Sequence, residues 1–281
     1  MKRKWYIDLG LVILFIFLFF LSVLVGSLIS GYIFNKYNLI NTIRGNQISL
    51  FFDIITLVTI LLFSRYVLKL DRSKLWMKRP DTVKNTALGY VAGTVLFVSY
   101  MVFALLTKNL TYVGPGSLPL LDILIYIPAF GIQSFTEELL TRGLMQRVIK
   151  DKWGFLPSII LPSAVFAVLH FANDGVNFFS VVNLFLVGIV FALMVYATGS
   201  LWYAGAAHAA WNYMQGVIFG QNISGRNIGD SMLKFNNTGT NEIFTGGQFG
   251  PEGTSFVAII LFLACIYYYY KFKKKPEGLV E

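Results

Sequence analysis

The chain has little charge, one cysteine and two histidines in its 281 residues. Charged residues make up 13% of the chain, whereas soluble domains average about 25%, so an ordinary soluble domain is excluded. A single cysteine, Cys265, excludes an intrachain disulfide and leaves no second thiol to bind a metal. Because Cys265 lies in an apolar run, we interpret it as inert. Hydrophobic residues, in contrast, reach 56%, and this abundance predicts an integral membrane protein.

Basic residues are confined to a few short segments beside apolar runs, although the net charge is +9. This clustering argues against nucleic-acid binding and is typical of the segments that orient membrane proteins, whose cytosolic loops are rich in Lys and Arg. The segments hold Lys2, Arg3 and Lys4; Arg65, Lys69, Arg72, Lys74, Lys78, Arg79 and Lys84; Arg147, Lys150 and Lys152; and Lys271, Lys273, Lys274 and Lys275. They predict that both termini lie in the cytosol.

Long apolar runs occupy most of the chain. They cover approximately residues 9–33, 48–64, 86–106, 120–148, 156–172, 178–197, 201–219 and 255–271. Most are near the roughly 20 residues that a spanning helix needs, and none shows the strict alternation of a membrane β-barrel. The first run is too long for a signal peptide and has no A-x-A-like cleavage site, so we expect it to be retained. The sequence predicts an all-α bundle of about eight transmembrane helices, forming one domain over residues 1–281.

Three further features of the sequence receive simpler interpretations. The Gly- and Asn-rich stretch 221–253 is expected to be a flexible connector on the outer side. Asp53 and Asp122 are expected near the outer ends of their helices, within reach of water and without a role. Small residues recur four apart in the seventh run, as Gly205 with Ala209 and Ala206 with Ala210, which predicts close packing of a central helix.

Six polar residues lie inside apolar runs, where a charged side chain costs roughly 2.5 to 3.5 kcal/mol at the helix centre. They are Glu137, Glu138, Arg142, His170, His208 and Asn212. The helical rise of about 1.5 Å per residue allows Glu137, His170 and His208 to share one layer near the middle of the bilayer. Because chance placement of so many polar groups in lipid is hard to sustain, they predict a functional site.

Residues four apart lie on one face of a helix. Glu138 and Arg142 have this spacing, so we expect them to form an ion pair that leaves Glu137 free to face a cavity. His208 and Asn212 share the spacing and present two hydrogen-bonding groups together. Phe166 lies one turn before His170 on the same side.

These groups have the parts for attack of water on a carbonyl carbon. Glu137 would take the proton from water with the help of His170, and His208 and Asn212 would donate hydrogen bonds to the developing oxyanion. In the alternative, Glu137, His170 and His208 bind a zinc ion that activates the water instead. The residues alone leave both mechanisms open.

Three motifs in order resemble a known family. They are E-E-x-x-x-R at 137–142, F-x-x-x-H at 166–170 and H-x-x-x-N at 208–212. The pattern is similar to that of the CAAX protease and bacteriocin-processing membrane proteases, which include the Ras-converting CAAX endopeptidases. The resemblance covers about residues 120–219, the expected catalytic core, and no motif position is missing.

The resemblance implies an eight-helix intramembrane protease whose cavity opens toward the cytosol. It assigns catalysis to Glu137, His170, His208 and Asn212, and supporting roles to Glu138, Arg142 and Phe166. Members have been described both as zinc proteases and as metal-free enzymes; we favour the version without a cofactor, with Zn²⁺ as the alternative. A chain of this size resembles prokaryotic relatives of the plasma membrane, whose expected substrate is a peptide or small membrane protein.

Two other functions fit the same composition. A non-catalytic member of the fold could bind a toxin, peptide or kinase as an immunity or scaffold protein, but a binder has no need for charges such as Glu137 in lipid. A transporter or proton channel could use the same carboxylates as relays, but the chain shows no matching inverted halves. The sequence therefore favours the protease.

Overall fold

The computed structural model describes residues 5–77 and 80–274 and forms a helical bundle. Its helices are α1 (Trp5–Tyr37), α2 (Ile43–Leu62), α3 (Thr82–Leu106), α4 (Leu120–Glu138), α5 (Gln146–Trp153), α6 (Phe155–Leu169), α7 (Phe178–Thr198), α8 (Leu201–Asn212), α9 (Glu242–Thr245) and α10 (Ser255–Lys273). Two strands, β1 (Leu110–Pro115) and β2 (Leu233–Asn237), form an antiparallel pair. Short π-helical segments, Phe63–Val67, Leu139–Met145 and Tyr213–Ile218, continue α2, α4 and α8.

The structure confirms a helical membrane protein. Within the described ranges, five helices are long and apolar enough to cross a membrane. These are Ile13–Tyr37, Ile43–Val67, Thr82–Leu106, Phe178–Thr198 and Ser255–Lys273. The other three apolar runs coincide with α4, α6 and α8, so the crossing of all eight stays a prediction. Of the basic residues used to predict orientation, Lys2, Arg3, Lys4, Lys78, Arg79 and Lys275 lie outside the described residues.

Helix α8 is central, as its small residues predicted, because its side chains are buried almost throughout. Its closest neighbour is α3, where Gly89 faces Tyr203 and Gly93 faces Ala207. A methyl group on either glycine would overlap a backbone carbonyl oxygen of α8. Because these two positions of α3 carry no side chain, the backbones of α3 and α8 can approach each other closely.

We expect Gly93→Ala to destabilise the protein, because the added methyl would force α3 away from α8. Overpacking of this kind costs about 1–3 kcal/mol and should lower the melting temperature measured in detergent. Gly31→Ala is the matched control, since no described atom outside the glycine's own turn of α1 lies within 4 Å of the added carbon. Equal melting temperatures for the two variants would contradict the close approach.

The segment 221–253 is folded, so the expectation of a flexible connector is wrong, whereas the described chain is mostly helical, as predicted, with one two-stranded pair added. Strand β2 within it pairs with β1, and glycines at positive φ, Gly246 (76°) and Gly250 (95°), make turns that other residues rarely adopt. The amide of Asn183 in α7 donates to the carbonyl oxygens of Glu252 (2.8 Å) and Thr254 (2.7 Å). These contacts fix the segment to the bundle.

The bundle has two distinct ends. We call the end that carries segment 221–253 the loop end; the amide of Asn173 donates to the carbonyl of Ser224 there (2.9 Å). At the opposite end, the amide of Leu201 donates to the carbonyl of Trp76 (2.9 Å), which lies in the basic segment between α2 and α3. Arg147 covers the Trp76 ring at 5.8 Å. We call this the basic end.

Candidate active site

A cavity of about 510 Å³ lies inside the bundle. Its walls come from α1, α2, α4, α6, α7, α8, α10 and segment 221–253. All four predicted catalytic residues line it: Glu137, His170, His208 and Asn212. The structure therefore brings together groups that lie up to 75 positions apart in the sequence.

Glu137 occupies the last turn of α4 and uses its two carboxylate oxygens differently. Oε1 accepts a hydrogen bond from Nε2 of Gln133, one turn earlier. Oε2 is buried, has no hydrogen-bond partner in the part of the chain that the structure describes, and lies 3.9 Å from Nε2 of His208. One oxygen thus holds the carboxylate in place while the other is available for chemistry.

The ion pair predicted from the four-residue spacing is present. Nη1 of Arg142 lies 3.1 Å from Oε1 of Glu138, and both side chains are 0% exposed. Nη2 of Arg142 donates to the carbonyl of Gly188 (3.1 Å), and the guanidinium lies 4.8 Å from the ring centroid of Phe166. Phe166 therefore supports the site by packing on a buried cation.

The motif E-E-x-x-x-R crosses the junction between α4 and the π-helical segment Leu139–Met145. A π-helical insertion shifts the register of the following side chains and occurs frequently at functional sites. Apolar periodicity does not reveal a local change of this size, so the sequence did not predict it.

His208 is held between a carboxylate and an aromatic ring. Its Nδ1 lies 3.1 Å from Oε1 of Glu138, and its ring stacks on Phe191 with centroids 5.0 Å apart. Because an ionised carboxylate only accepts, we assign the proton to Nδ1, which leaves Nε2 of the neutral ring as an acceptor facing Glu137. We expected His208 to donate a hydrogen bond to the oxyanion. Nε2 can do so only when the ring is protonated.

His170 is the C-terminal cap of α6 and is only partly buried. Its Nδ1 lies 2.8 Å from the carbonyl oxygen of Phe166, and a carbonyl can only accept, so Nδ1 carries the proton. The neutral ring then has an acceptor, Nε2, for a water or substrate hydrogen. This arrangement suits a residue that orients water.

Asn212 already has partners, contrary to the expectation of a free donor. Its Nδ2 donates to Oε1 of Gln133 (3.2 Å) and makes a longer contact with Oγ of Ser134 (3.4 Å). Gln133 therefore links Asn212 to Glu137 through the two ends of one amide. The sequence analysis missed Gln133, although its spacing of four from Glu137 was a usable signal.

We expect Gln133→Leu to lower kcat with little change in KM, because it frees the Glu137 carboxylate without removing a substrate contact. A hydrogen bond to a charged group contributes about 1.5–3 kcal/mol, which corresponds to a loss of roughly 10- to 100-fold in rate. Gln221→Leu, a glutamine outside the cavity lining, is the control. A change confined to KM would contradict a positioning role.

Acidic residues missed by the sequence analysis also belong to the cavity. Asp53 lies in the middle of α2, not near its outer end, and interacts electrostatically with Glu137 and Arg226. Glu252 is buried at the loop end, where Oε2 accepts from Gln215 (2.6 Å) and Oε1 from Ser224 (3.2 Å). Burial raises the pKa of Glu252, and these hydrogen bonds partly offset the rise. Neither position forms a local motif with the others.

Asp122 is buried at the start of α4 and was expected to be within reach of water. Its Oδ1 accepts from Nε2 of Gln47 (3.1 Å) and lies 3.6 Å from Nε of Arg44. These partners lie on α2, so Asp122 joins two helices. It does not line the cavity, and its role is structural.

A zinc site would require Glu137, His170 and His208 to converge on one point. Among residues 5–77 and 80–274, no group of three or more His, Cys, Asp or Glu side chains is placed to hold a metal ion. The residues do not fit zinc in this arrangement, and we derive no step through a metal.

A comparison with known protein families supports the resemblance drawn from the three motifs. A family model described as type II CAAX prenyl endopeptidase Rce1-like matches residues 119–214, and a search of curated proteins found no match. The matched segment runs from the start of α4 to just beyond α8 and contains all three motifs. The match covers about a third of the chain, and over this segment the chain is similar to the CAAX protease and bacteriocin-processing family.

Proposed function

We propose that this protein is an intramembrane endopeptidase that hydrolyses a peptide bond in a peptide or small membrane-associated protein. The family match supports a protease. One observation carries the mechanism: Oε2 of Glu137 is unpaired within the described structure and lies 3.9 Å from Nε2 of His208, while Gln133 holds Oε1. A fixed carboxylate beside a second acceptor is suited to binding and activating water.

A water molecule can bind to both groups at once. An oxygen about 2.8 Å from each, the usual O–H donor distance, forms a triangle with Oε2 of Glu137 and Nε2 of His208. As that oxygen attacks the carbonyl carbon, Glu137 accepts its proton and later passes it to the leaving amine. The peptide C–N bond breaks, and the products are a carboxylic acid and an amine.

The remaining residues stabilise the tetrahedral intermediate. Asn212 contacts the substrate oxygen by exchanging its 3.4 Å contact with Ser134 for a hydrogen bond to the oxyanion. His208 donates to that oxygen when it is protonated, with Glu138 compensating its charge. In that state Nε2 of His170, rather than Nε2 of His208, accepts the second hydrogen of the attacking water.

The proposal places the protein in a prokaryotic plasma membrane with both termini in the cytosol. Eight crossings are made by α1, α2, α3, α4, α6, α7, α8 and α10. Five of these helices meet the length and hydropathy of a span on their own. The π-helical segments lengthen α4 and α8, which supports their crossing as well.

The test is cleavage of a peptide panel by the purified protein in liposomes, with products identified by mass spectrometry. We expect cleavage to persist in a strong zinc chelator, because Glu137 rather than a metal activates the water. Loss of cleavage that added Zn²⁺ restores would support the zinc alternative. Peptide binding without cleavage would instead support an immunity or scaffold protein.

A further inference from the structure

One face of α2 presents polar side chains to the cavity. The lining includes Asn46, Ser49, Asp53 and Thr56, whose spacings of three, four and three residues keep them on one side of the helix. Thr56 is buried and accepts a hydrogen bond from Ser22 of α1 (3.2 Å). Within the described chain, the side chains of Asn46, Ser49 and Asp53 make no hydrogen bond or ion pair, and each is at least partly exposed. These three side chains are therefore free to bind a ligand in the cavity.

The length of this polar face matches a short extended peptide. Thr56 follows Asn46 by ten positions, which corresponds to roughly 15 Å of helix. An extended chain rises about 3.3 Å per residue, so about four or five substrate residues fit beside α2. The side chains of Asn46 and Ser49 can donate to and accept from the peptide groups of such a chain. The polar face of α2 is therefore suited to bind a peptide along its length.

Asp53 lies at the level of the proposed catalytic base. Thr136, the residue before Glu137 on α4, makes a long hydrogen bond from Oγ1 to the carbonyl oxygen of Asp53 (3.4 Å). The carboxylates of Asp53 and Glu137 also interact electrostatically. A peptide that is attacked beside Glu137 therefore passes Asp53 close to the cleaved bond. Asp53 is placed to contact a substrate side chain near that bond.

The charge of the cavity favours a cation at this position. Its described lining contains three carboxylates, Asp53, Glu137 and Glu252, but only one Lys or Arg side chain, Arg226. Glu252 already accepts two hydrogen bonds at the loop end, and Glu137 is engaged by Gln133 and the attacking water. A carboxylate without a partner is costly in a membrane-spanning helix. A cationic ligand beside Asp53 would lower this cost.

Arg226 leaves the Asp53 carboxylate accessible. It is exposed on segment 221–253 and interacts electrostatically with Asp53, but the two side chains form no direct ion pair in the described structure. Asp53 therefore lies in the field of one cation of its own chain while its oxygens stay open to another. A cation supplied by the substrate can bind to these oxygens directly.

We propose that Asp53 binds a basic side chain of the substrate, lysine or arginine, next to the cleaved bond, while the polar face of α2 holds the peptide backbone. The inference rests on the proposed protease function for the cleavage itself, but the preference for a basic side chain is measurable as binding alone. It defines the substrate class as a peptide with a positive charge close to the cleavage position.

The test uses synthetic peptides with blocked termini and an uncharged sequence, in which a single lysine is placed at successive positions. Methionine at the same position gives the matched neutral peptide, because its side chain has a similar length. In liposomes, the wild type should cleave the best lysine peptide with a kcat/KM about 10- to 100-fold above that of its methionine partner, the contribution of a hydrogen bond to a charged group. The difference should lie in KM. Equal values at every position would overturn the proposal.

Asp53→Asn should bring the ratio of kcat/KM between lysine and methionine peptides close to one. A smaller folded fraction of the variant cancels in this ratio. Asp71→Asn is the control and should keep the wild-type ratio, because Asp71 is an exposed carboxylate outside the cavity lining. Arg226→Gln should raise the ratio, because it removes a competing cation. A ratio that survives in Asp53→Asn, or that falls in Arg226→Gln, would overturn the assignment.

Binding separates this subsite from the protease function. Fluorescent forms of the same peptides can be titrated onto Glu137→Gln in liposomes. The charge of Glu137 is then absent, so a lysine preference that an added Asp53→Asn abolishes belongs to Asp53. If lysine peptides bind with this preference but the wild type cleaves no peptide, the subsite stands and the protease function fails. If peptides are cleaved without a lysine preference, the protease function stands and the subsite fails.

Discussion

Glu137→Gln is expected to reduce peptide cleavage by roughly 10²- to 10⁴-fold, the usual contribution of a positioned general base. The amide has nearly the shape of the carboxylate, so Gln133 can still hold it, but it cannot accept the proton of the attacking water. Cleavage rates of the wild type and the variant in liposomes measure the effect. Their melting temperatures should be similar, because only one partly exposed charge is lost.

Glu242→Gln provides the matched control, since Glu242 is exposed on the loop end and outside the cavity lining. The Glu242→Gln variant should cleave peptides at the wild-type rate. Activity of Glu137→Gln close to that of the control would exclude Glu137 as the base and would direct attention to Asp53, a further carboxylate of the cavity that interacts with it.

The sequence predicted those parts of the site that depend on local spacing. Glu138 and Arg142 form the ion pair expected four residues apart, and His170 and His208 reach the same cavity because their helices pack beside α7 and α4. The catalytic roles of these residues stay predictions. The residue spacing could predict only which face of its helix each group occupies.

The parts that were missed depend on contacts between distant segments. Asp53 becomes a cavity residue only because α2 packs against α4, and Glu252 only because segment 221–253 folds back on the bundle. Segment 221–253 was misjudged because Gly and Asn composition describes both flexible linkers and tight turns. Composition does not reveal the pairing of β1 with β2, and it is this pairing that orders the segment.

Arg142→Met is expected to cause the largest loss of stability, about 3–5 kcal/mol, because it leaves the fully buried Glu138 without its cation. Methionine nearly preserves the apolar volume between Phe166 and Phe191, so the loss would reflect charge rather than a cavity. Unfolding in detergent, followed by heat or denaturant, measures the change.

Arg147→Met is the matched control. Arg147 and Asp151 form an ion pair with the same four-residue spacing and the same 3.1 Å distance, but Asp151 is 49% exposed. Exposed pairs contribute about 0–1 kcal/mol, so this variant should unfold almost like the wild type. Equal losses for the two variants would show that burial does not set the cost.

The double variant Glu138→Gln, Arg142→Met separates the two effects of the buried pair. Removing both charges abolishes the unpaired carboxylate, so much of the lost stability should return. Activity should not return, because a neutral amide in place of the Glu138 carboxylate no longer fixes the Nδ1 proton of His208 by a charged hydrogen bond. Recovery of both stability and cleavage would mean that the ion pair serves folding alone, and that His208 does not depend on Glu138 for its orientation beside Glu137.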